Sequence, residues 1–524
     1  MFPPRYVSHV PKLRFVQTQT AALENKKERM NAHLLYRNKD FNIEQSILWN
    51  SELLLQDFGL KILFDCMSGG DDLIFTVAKK VILSSTFIDE ATIHYRQEIL
   101  KDCLTNSSVI EAMYKLSIEA VESRKHTWYS IFTKHPTSVL SGSVGLMNIY
   151  LDYLKSLRDY VKQHEGRFSS EGFVNLFSVL KKEISDEYID EVKQQLLQLK
   201  SKDGILMSAQ LGAGNKGVNY TLHSFTAKRL NWLQKMFPPK LPGYTFQINP
   251  RDESGARAVA ELNDNAVRKV ANIVADANEH ILNFFTVLRN ELAFWLGNIR
   301  LHQRFSELGL PFCFPKTYSS THKKHNCKNL YDACLALSMN KKIETNDLIA
   351  DDKNLIIITG ANKGGKSTFL RSIGTAQLMM QCGMFMAAEK FEANLCSGVF
   401  THFKREENNT MESGKFDEEL KRMDDITNHL KPTSLLLFNE SFAATNEREG
   451  SEVARQIINA LLESDNKIFF VTHLHDLSNG YFKNNQNNIL FLRANDDNSF
   501  KLKEDAPQKT SNGVELYRKI FNKK

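Results

Sequence analysis

The sequence predicts a chain in two parts, an α part that is mainly helical and an α/β part in which strands and helices alternate. Three observations carry that prediction. From about 46 to 305, apolar residues recur at three- and four-residue spacing, the period of a helix with one buried face. From about 306 onward, short apolar runs alternate with helical segments. At one of those junctions stands Gly360-Ala361-Asn362-Lys363-Gly364-Gly365-Lys366-Ser367-Thr368, which fits G-x-x-x-x-G-K-[ST] at every fixed position.

Residues 1–45 are polar and hold no long periodic segment, so they read as an N-terminal arm with one short helix at most. In the helical part, Ile189, Val192, Leu196 and Leu197 form one amphipathic stripe. The longest candidate runs from about 261 to 303 through Val267, Val270, Ile273, Val274, Ile281, Phe284, Leu288, Leu292, Trp295 and Ile299, with no proline. As one helix of roughly 40 residues it would span about 60 Å at 1.5 Å per residue, the length of a lever; the alternative is two helices broken near Asn278 or Gly297. A β insertion is expected at about 200–250: Gly204 to Ala209, Val218 to Leu222 and Tyr244 to Ile248 read as short strands. Gly212-Ala213-Gly214-Asn215-Lys216-Gly217 spells G-x-G-x-x-G, but a strand follows it rather than a helix, so no helix N-terminus is there to meet a pyrophosphate. Phe312-Cys313-Phe314 reads as an edge strand, and Leu335 to Met339 fits strand or helix.

Composition excludes several classes. The 524 residues are 42% hydrophobic, enough for ordinary cores, with no apolar run of membrane-spanning length. Met1-Phe2-Pro3-Pro4-Arg5 opens no apolar signal segment, and the seven scattered cysteines suit a reducing cytoplasm. The net charge of +6 permits contact with nucleic acid without demanding it. The cluster His322-Lys323-Lys324-His325 reads first as solvated surface.

The nine-residue run carries specific chemistry. Leu355 to Thr359 reads as a buried strand before it, and Phe369 to Gly374 opens a helix after it. Gly360, Gly364 and Gly365 let the backbone approach phosphates closely, and loop N–H groups with the helix N-terminus face the negative charge. Lys366 supplies a point charge to the outer phosphates of ATP, and the Ser367 hydroxyl is a natural ligand for Mg²⁺. A second apolar strand, Leu435 to Phe438, ends in Asn439-Glu440, where nucleotide hydrolases keep an acidic pair near the metal and the attacking water. Glu440 is the candidate base. Asn439 can still accept from metal-bound water but brings no charge, so Mg²⁺ should bind less tightly. A third strand, Lys467 to Val471, ends in Thr472-His473, placing His473 where it can sense the γ-phosphate.

Together these residues resemble the MutS family of DNA mismatch-repair ATPases. The glycine run is similar to that family's G-P-N-M-G-G-K-S-T loop. Gly383 to Ala388 looks like its G-x-[FY]-V-P-A segment, with Ala387 in place of proline. Val399-Phe400-Thr401-His402-Phe403 is similar to its I-F-T-R-[IV] strand, and Phe416, Glu419 and Leu420 fit its F-x-x-E-[ML] helix. Glu440 to Gly450 resembles E-[LI]-G-R-G-T-S-T-Y-D-G: Thr445 and Gly450 match, while Phe442, Ala443 and Ala444 replace G-R-G. Thr472-His473 looks like its T-H-Y-x-x-L segment. The departures point to a divergent bacterial branch without the mismatch-reading domain.

The resemblance implies a fold and a function. The helical part would be a lever and clamp domain at 46–305, followed by an ABC-type P-loop ATPase domain at 306–524 with a dimerisation tail around Gly513 to Tyr517. Motif-level likeness covers about 355 to 480 and is architectural upstream of that. Ser413 or Gly414 would reach the partner subunit's nucleotide, and Thr445 would complete the site. The implied protein is a cytoplasmic homodimer that contacts the backbone of duplex or branched DNA, hydrolyses ATP with Mg²⁺ to open and close a clamp, and needs no membrane. The alternative is a nucleotide-gated scaffold with negligible turnover, which Asn439 and the altered Phe442-Ala443-Ala444 turn suggest. An ABC-type transport subunit fits less well, since no L-S-G-G-Q signature is present.

Overall fold

The computed structural model describes residues 30–84, 89–127, 136–199, 207–211, 217–222, 253–361, 363–405, 414–484, 486–495 and 499–507. The helices before the long one are α1 (Ser51–Phe58), α2 (Leu60–Ser68), α3 (Asp72–Ser84), α4 (Glu90–Thr105), α5 (Ser107–Thr127), α6 (Pro136–His164), α7 (Glu171–Glu183) and α8 (Asp186–Leu199). Strands β1 (Met207–Leu211) and β2 (Gly217–Leu222) then precede α9 (Glu253–Glu307). The remaining elements are β3 (Lys316–Tyr318), β4 (His325–Leu330), α10 (Ala333–Met339), β5 (Asn346–Ile349), β6 (Leu355–Gly360), α11 (Lys366–Gln381), β7 (Lys390–Asn394), β8 (Val399–Phe403), α12 (Lys415–His429), β9 (Leu435–Asn439), α13 (Glu447–Glu463), β10 (Lys467–Val471), α14 (His475–Lys483), β11 (Ile489–Ala494) and β12 (Leu502–Glu504). No described helix is long and apolar enough to cross a membrane.

Contacts group the chain differently from a division at 45 and 305. One unit takes 1–32, 112–167 and 174–289, and the other takes 33–111, 168–173 and 290–524. The first unit is helical, with β1 and β2 paired antiparallel, Met207 opposite Leu222. Within it the buried Arg158 guanidinium donates to the Ile184 carbonyl at 2.7 Å and to the Asp159 and Asp186 carboxylates at 2.6 and 2.7 Å. A buried guanidinium needs that many acceptors to offset its lost hydration.

The long helix exceeds its predicted limits. α9 runs 55 residues without a break, so neither Asn278 nor Gly297 interrupts it. The Asn278 side chain instead donates to the Ser143 carbonyl at 2.8 Å. A Cβ at Gly297 would stand 3.1 Å from Ile74 and 3.3 Å from Met67, so the glycine serves close packing of α2 and α3 on α9. Leu335 to Met339 belongs to helix α10, capped by Asp332, which accepts from the Leu335 N–H at 3.0 Å. Cys313 makes only an isolated bridge to Met386, not a strand. The strand expected at Tyr244 to Ile248, the run Gly212 to Lys216 and the tail at Gly513 to Tyr517 lie outside the described residues.

The second unit contains a six-stranded sheet in the order β12-β11-β6-β10-β9-β8, parallel except for β12, and a four-stranded sheet in the order β3-β7-β4-β5. The inner strands read as unbroken apolar runs because helices cover both faces, as parallel strands require. Their core joins Leu355, Ile357, Leu436, Phe438, Ile468 and Phe470 to Met423, Ile426, Ala454, Ile458 and Leu461 of α12 and α13. The described part of the expected arm is packed here too. Leu34 and Leu35 are fully buried, and the buried Glu291 carboxylate of α9 accepts from the N–H groups of Leu34 and Phe41. Its polar sequence hid that role, since only a few apolar residues do the packing.

On the other face α11 lies against α1 through Gly374. A Cβ there would fall 2.2 Å from the Phe58 ring and 2.7 Å from Leu437. Phe58 is 1% exposed and has no room to retreat. Gly374→Ala should therefore destabilise the protein by about 1–3 kcal/mol through overpacking, despite the better helix propensity of alanine. Urea denaturation followed by circular dichroism checks this; a midpoint at or above that of the unaltered protein contradicts it.

Candidate functional site

Three parallel strands deliver the candidate residues to one edge. In β10, Val471 pairs with Ile358 of β6 on one side and Asn439 of β9 on the other. The glycine loop, Asn439-Glu440 and Thr472-His473 therefore leave the sheet side by side. That is the C-terminal edge of a sheet whose order reverses around β6, the place where open α/β sheets hold ligands.

The loop conformation explains its residues. Gly360, Lys363 and Gly365 have φ of 117°, 66° and 86°. A Cβ at Gly360 would sit 2.8 Å from the Ala494 backbone, and one at Gly364 would sit 2.8 Å from the Ala494 Cβ. Strand β11 thus presses on the loop, and only glycine fits beneath it. Phe500 covers Gly365 from the β11–β12 connection, 3.2 Å from where its Cβ would be. The Lys366 ammonium donates to the carbonyls of Gly360 and Ala361 at 2.9 and 2.7 Å. Burial pushes its pKa down while the Glu440 charge opposes that. Thr368 lies in the first turn of α11.

The polar ends meet as well. Ser367 Oγ donates to Asn439 Oδ1 at 2.9 Å. His473 Nε2 lies 3.1 Å from Glu440 Oε1, both side chains about one-third exposed. That bond, more than the opposing burial, holds the Glu440 carboxyl below its ordinary range. The side-chain atoms that Ser367, Asn439 and Glu440 could offer a metal include only oxygen acceptors, which would suit a hard cation such as Mg²⁺. Among the described residues no group of three His, Cys, Asp or Glu side chains is placed to hold a metal ion.

Other predicted residues fall elsewhere. Thr445 bonds Glu449 on its own turn, beside the α13 N-cap Asn446, and among the described residues it makes no bond to the glycine loop. Gly414 is the N-cap of α12. Asn362 and Ser413 lie outside the described residues.

The structure adds residues that the strand-end reading passed over. Glu440 and Phe442 both adopt left-handed backbone, at φ 54° and 62°. Phe442 is fully buried and stacks on the His402 ring at 5.2 Å with 17° between planes. Ser441 Oγ donates to the His402 carbonyl at 2.5 Å and lies 2.7 Å from His402 Nδ1. His402 Nε2 faces the Glu419 carbonyl at 3.0 Å and Arg422 Nη2 at 3.3 Å. A Cβ at Gly450 would lie 2.3 Å from the Phe442 carbonyl, so the first turn of α13 closes on the same bend. The sequence signal was the replacement of G-R-G by Phe442-Ala443-Ala444 beside a histidine in the Val399 to Phe403 strand.

A glycine loop between a parallel strand and a helix, with an acid and a histidine at neighbouring strand ends, is the arrangement of a phosphate-binding α/β domain. Comparison with known proteins narrows this. The family model "MutS2 N-terminal domain" matches residues 88–308, and "MutS domain V" matches 356–519. "DNA mismatch repair protein MutS" of Prochlorococcus marinus (strain MIT 9312) is 32% identical over 184 residues, 33% of this chain and 20% of that protein. The protein of the same name from Clostridium novyi (strain NT) is 29% identical over 181 residues, again 33% of this chain and 20% of that protein. "MutS protein homolog 4" of Mus musculus is 30% identical over 141 residues, 27% of this chain and 15% of that protein. The chain thus matches a fifth or less of the length of these relatives. It belongs to the MutS family. The match at 88–308 shows that the likeness extends well upstream of the nucleotide motifs.

His402 gives this region a pH dependence. Burial, with the Arg422 and Arg405 charges near it, pushes the imidazole down to about 4 from an ordinary 6.5. The folded ring stays neutral while the unfolded one takes a proton below 6.5. Its contribution is therefore fully present above pH 6.5 and is lost as pH falls toward 4, by up to about 3 kcal/mol. Denaturation midpoints at pH 7 and pH 4.5 should show a smaller acid loss in His402→Asn than in the unaltered protein. Equal losses contradict this.

Proposed function

We propose that this chain is a MutS-type ATPase that binds ATP and Mg²⁺ at Gly360 to Thr368 and works on DNA as a homodimer. The observation that carries the reading is the convergence of Lys366, the Ser367–Asn439 pair and the Glu440–His473 pair at adjacent ends of β6, β9 and β10. The loop N–H groups and Lys366 would hold the phosphates, and Ser367 with Asn439 would hold Mg²⁺ through oxygen. Bound there, the metal would neutralise phosphate charge. Glu440, kept ionised by His473, would orient a water and take its proton. His473 would in turn sense the γ-phosphate. Gly414 and Ser413, at and just before the start of α12, are proposed to serve the partner's nucleotide.

DNA contact rests on the relatives, which are named as DNA mismatch repair proteins, and on the mild positive charge. The proposed use of the cycle is to open and close a clamp built from the long helical elements in DNA repair or recombination. A gated scaffold with little turnover is the second reading. Asn439 favours it, because an amide attracts Mg²⁺ less than the usual carboxylate does.

Phosphate release, ATP binding and DNA binding measured together separate the two. Glu440→Gln should lower turnover by at least about 100-fold while ATP still binds, and Lys366→Ala should weaken binding itself. Tight ATP binding without phosphate release in the unaltered protein selects the scaffold. Affinity for duplex and branched DNA should fall steeply with salt if the backbone is contacted. No binding to duplex, branched or single-stranded DNA at low salt removes the DNA part of the proposal.

A further inference from the structure

Glu440 stands in a bend that few sequences would tolerate. Glu440 and Phe442 are both left-handed, a conformation that costs non-glycine residues roughly 1–2 kcal/mol each. Such backbone persists only where its surroundings over-determine it. On the β10 side the Glu440 N–H donates to the Val471 carbonyl at 2.9 Å, and the Glu440 side chain meets His473. The first turn of α13 closes on the Phe442 carbonyl at Gly450, and a further set of contacts comes from β8 and α12.

Four contacts make that second grip. Ser441, fully buried, gives its hydroxyl proton to the His402 carbonyl and lies 2.7 Å from the His402 ring at Nδ1. Phe442 stacks on the same ring. The Phe442 backbone N–H acts on the Glu419 carboxylate, itself 7% exposed, and opposes the rise in its pKa that burial causes. Glu419 and Arg422 of α12 then fix His402 from its far side, and Arg422 also donates to the Phe403 carbonyl at 2.9 Å. With Nδ1–H donated to Ser441, Nε2 is left as acceptor for Arg422 at 3.3 Å while its lone pair opposes the Glu419 carbonyl at 3.0 Å. With the proton on Nε2 instead, the ring donates to the Glu419 carbonyl and Ser441 must choose between two acceptors. Both arrangements draw on α12, through the Glu419 carbonyl or through Arg422.

We propose that His402 and Glu419 are positioning residues for Glu440, through which helix α12 sets the geometry of the Glu440-Ser441-Phe442 bend and so gates hydrolysis. This rests on the ATPase reading of Glu440. Among the described residues neither bonds to the nucleotide loop; each would act through Ser441 or Phe442. A displacement of Glu440 by about 1 Å costs on the order of 100-fold in turnover, so loosening the bend should show in kcat rather than in ATP affinity.

The test uses the full chain with His402→Ala, His402→Asn and Glu419→Gln. His402→Ala should lower kcat by about 10- to 100-fold and leave KM and the affinity for a non-hydrolysed ATP analogue within about threefold. His402→Asn, whose amide can still reach Ser441, should recover part of the loss, and Glu419→Gln should lower kcat alone. Amide hydrogen exchange supplies a readout that needs no turnover: peptides covering 439–446 should exchange at least about tenfold faster in His402→Ala, with those of β6 unchanged. Unchanged kcat in folded His402→Ala, a parallel loss of kcat and ATP affinity, or unchanged exchange at 439–446 each overturns the proposal. If Glu440→Gln leaves phosphate release unaltered, the ATPase reading fails and the gate fails with it. Faster exchange at 439–446 would then still show His402 holding the bend, so the two failures are told apart.

Discussion

The register of β10 is the constraint on which the site depends. Val471 faces Ile358 on one side and Asn439 on the other, and both pairings are parallel. A strand has a side-chain period of two, so a slip of one residue on either side would turn Glu440 or His473 to the wrong face. Unbroken apolar runs alone do not specify that register, because every position is buried. It is set at the strand ends, where the Thr472 N–H donates to the Ile358 carbonyl and the Ile468 N–H to the Asn354 carbonyl. The Glu440 N–H, bonded to the Val471 carbonyl, carries the same register into the bend that follows β9.

That bend shows how a glycine position can be filled by something larger. A glycine takes left-handed backbone without steric cost, whereas Phe442 pays for it. Full burial of the Phe442 side chain contributes about 1.5–3 kcal/mol, enough to offset the strain. The consequence is a transfer of control. A glycine bend depends on its own backbone; this one also depends on what Phe442 and Ser441 touch, His402 among them.

Much of this was legible in the sequence, for identifiable reasons. The loop and the three strand ends could be placed because apolar runs and fixed glycine spacing are local signals, and Lys366, Ser367, Asn439, Glu440 and His473 do meet. The length of α9 was underestimated because its early part, Glu253 to Leu262, lacks the regular apolar spacing that marks the rest. The packing of Leu34 and Leu35 against Glu291 was invisible because the partners lie more than 200 positions apart. His402 was passed over as a family variant, since nothing within its own strand reveals a bond to Ser441 across 39 positions.

Asn439 and His402 together change how the site is to be read. An aspartate at the position of Asn439 would place a second negative charge next to Glu440 and pull on Mg²⁺ directly. With an amide there, Glu440 is the only carboxylate of the Asn439-Glu440 pair, and His473 and Lys366 both act to keep it ionised. As the proposed base, its usefulness would then depend on where it points more than on its charge. Pointing is the property that the bend would control and that, in the proposed gate, His402 and Glu419 would hold from α12. A site short of one charge and a bend short of one glycine thus converge on the same requirement, a carboxylate whose position is fixed from outside the nucleotide loop.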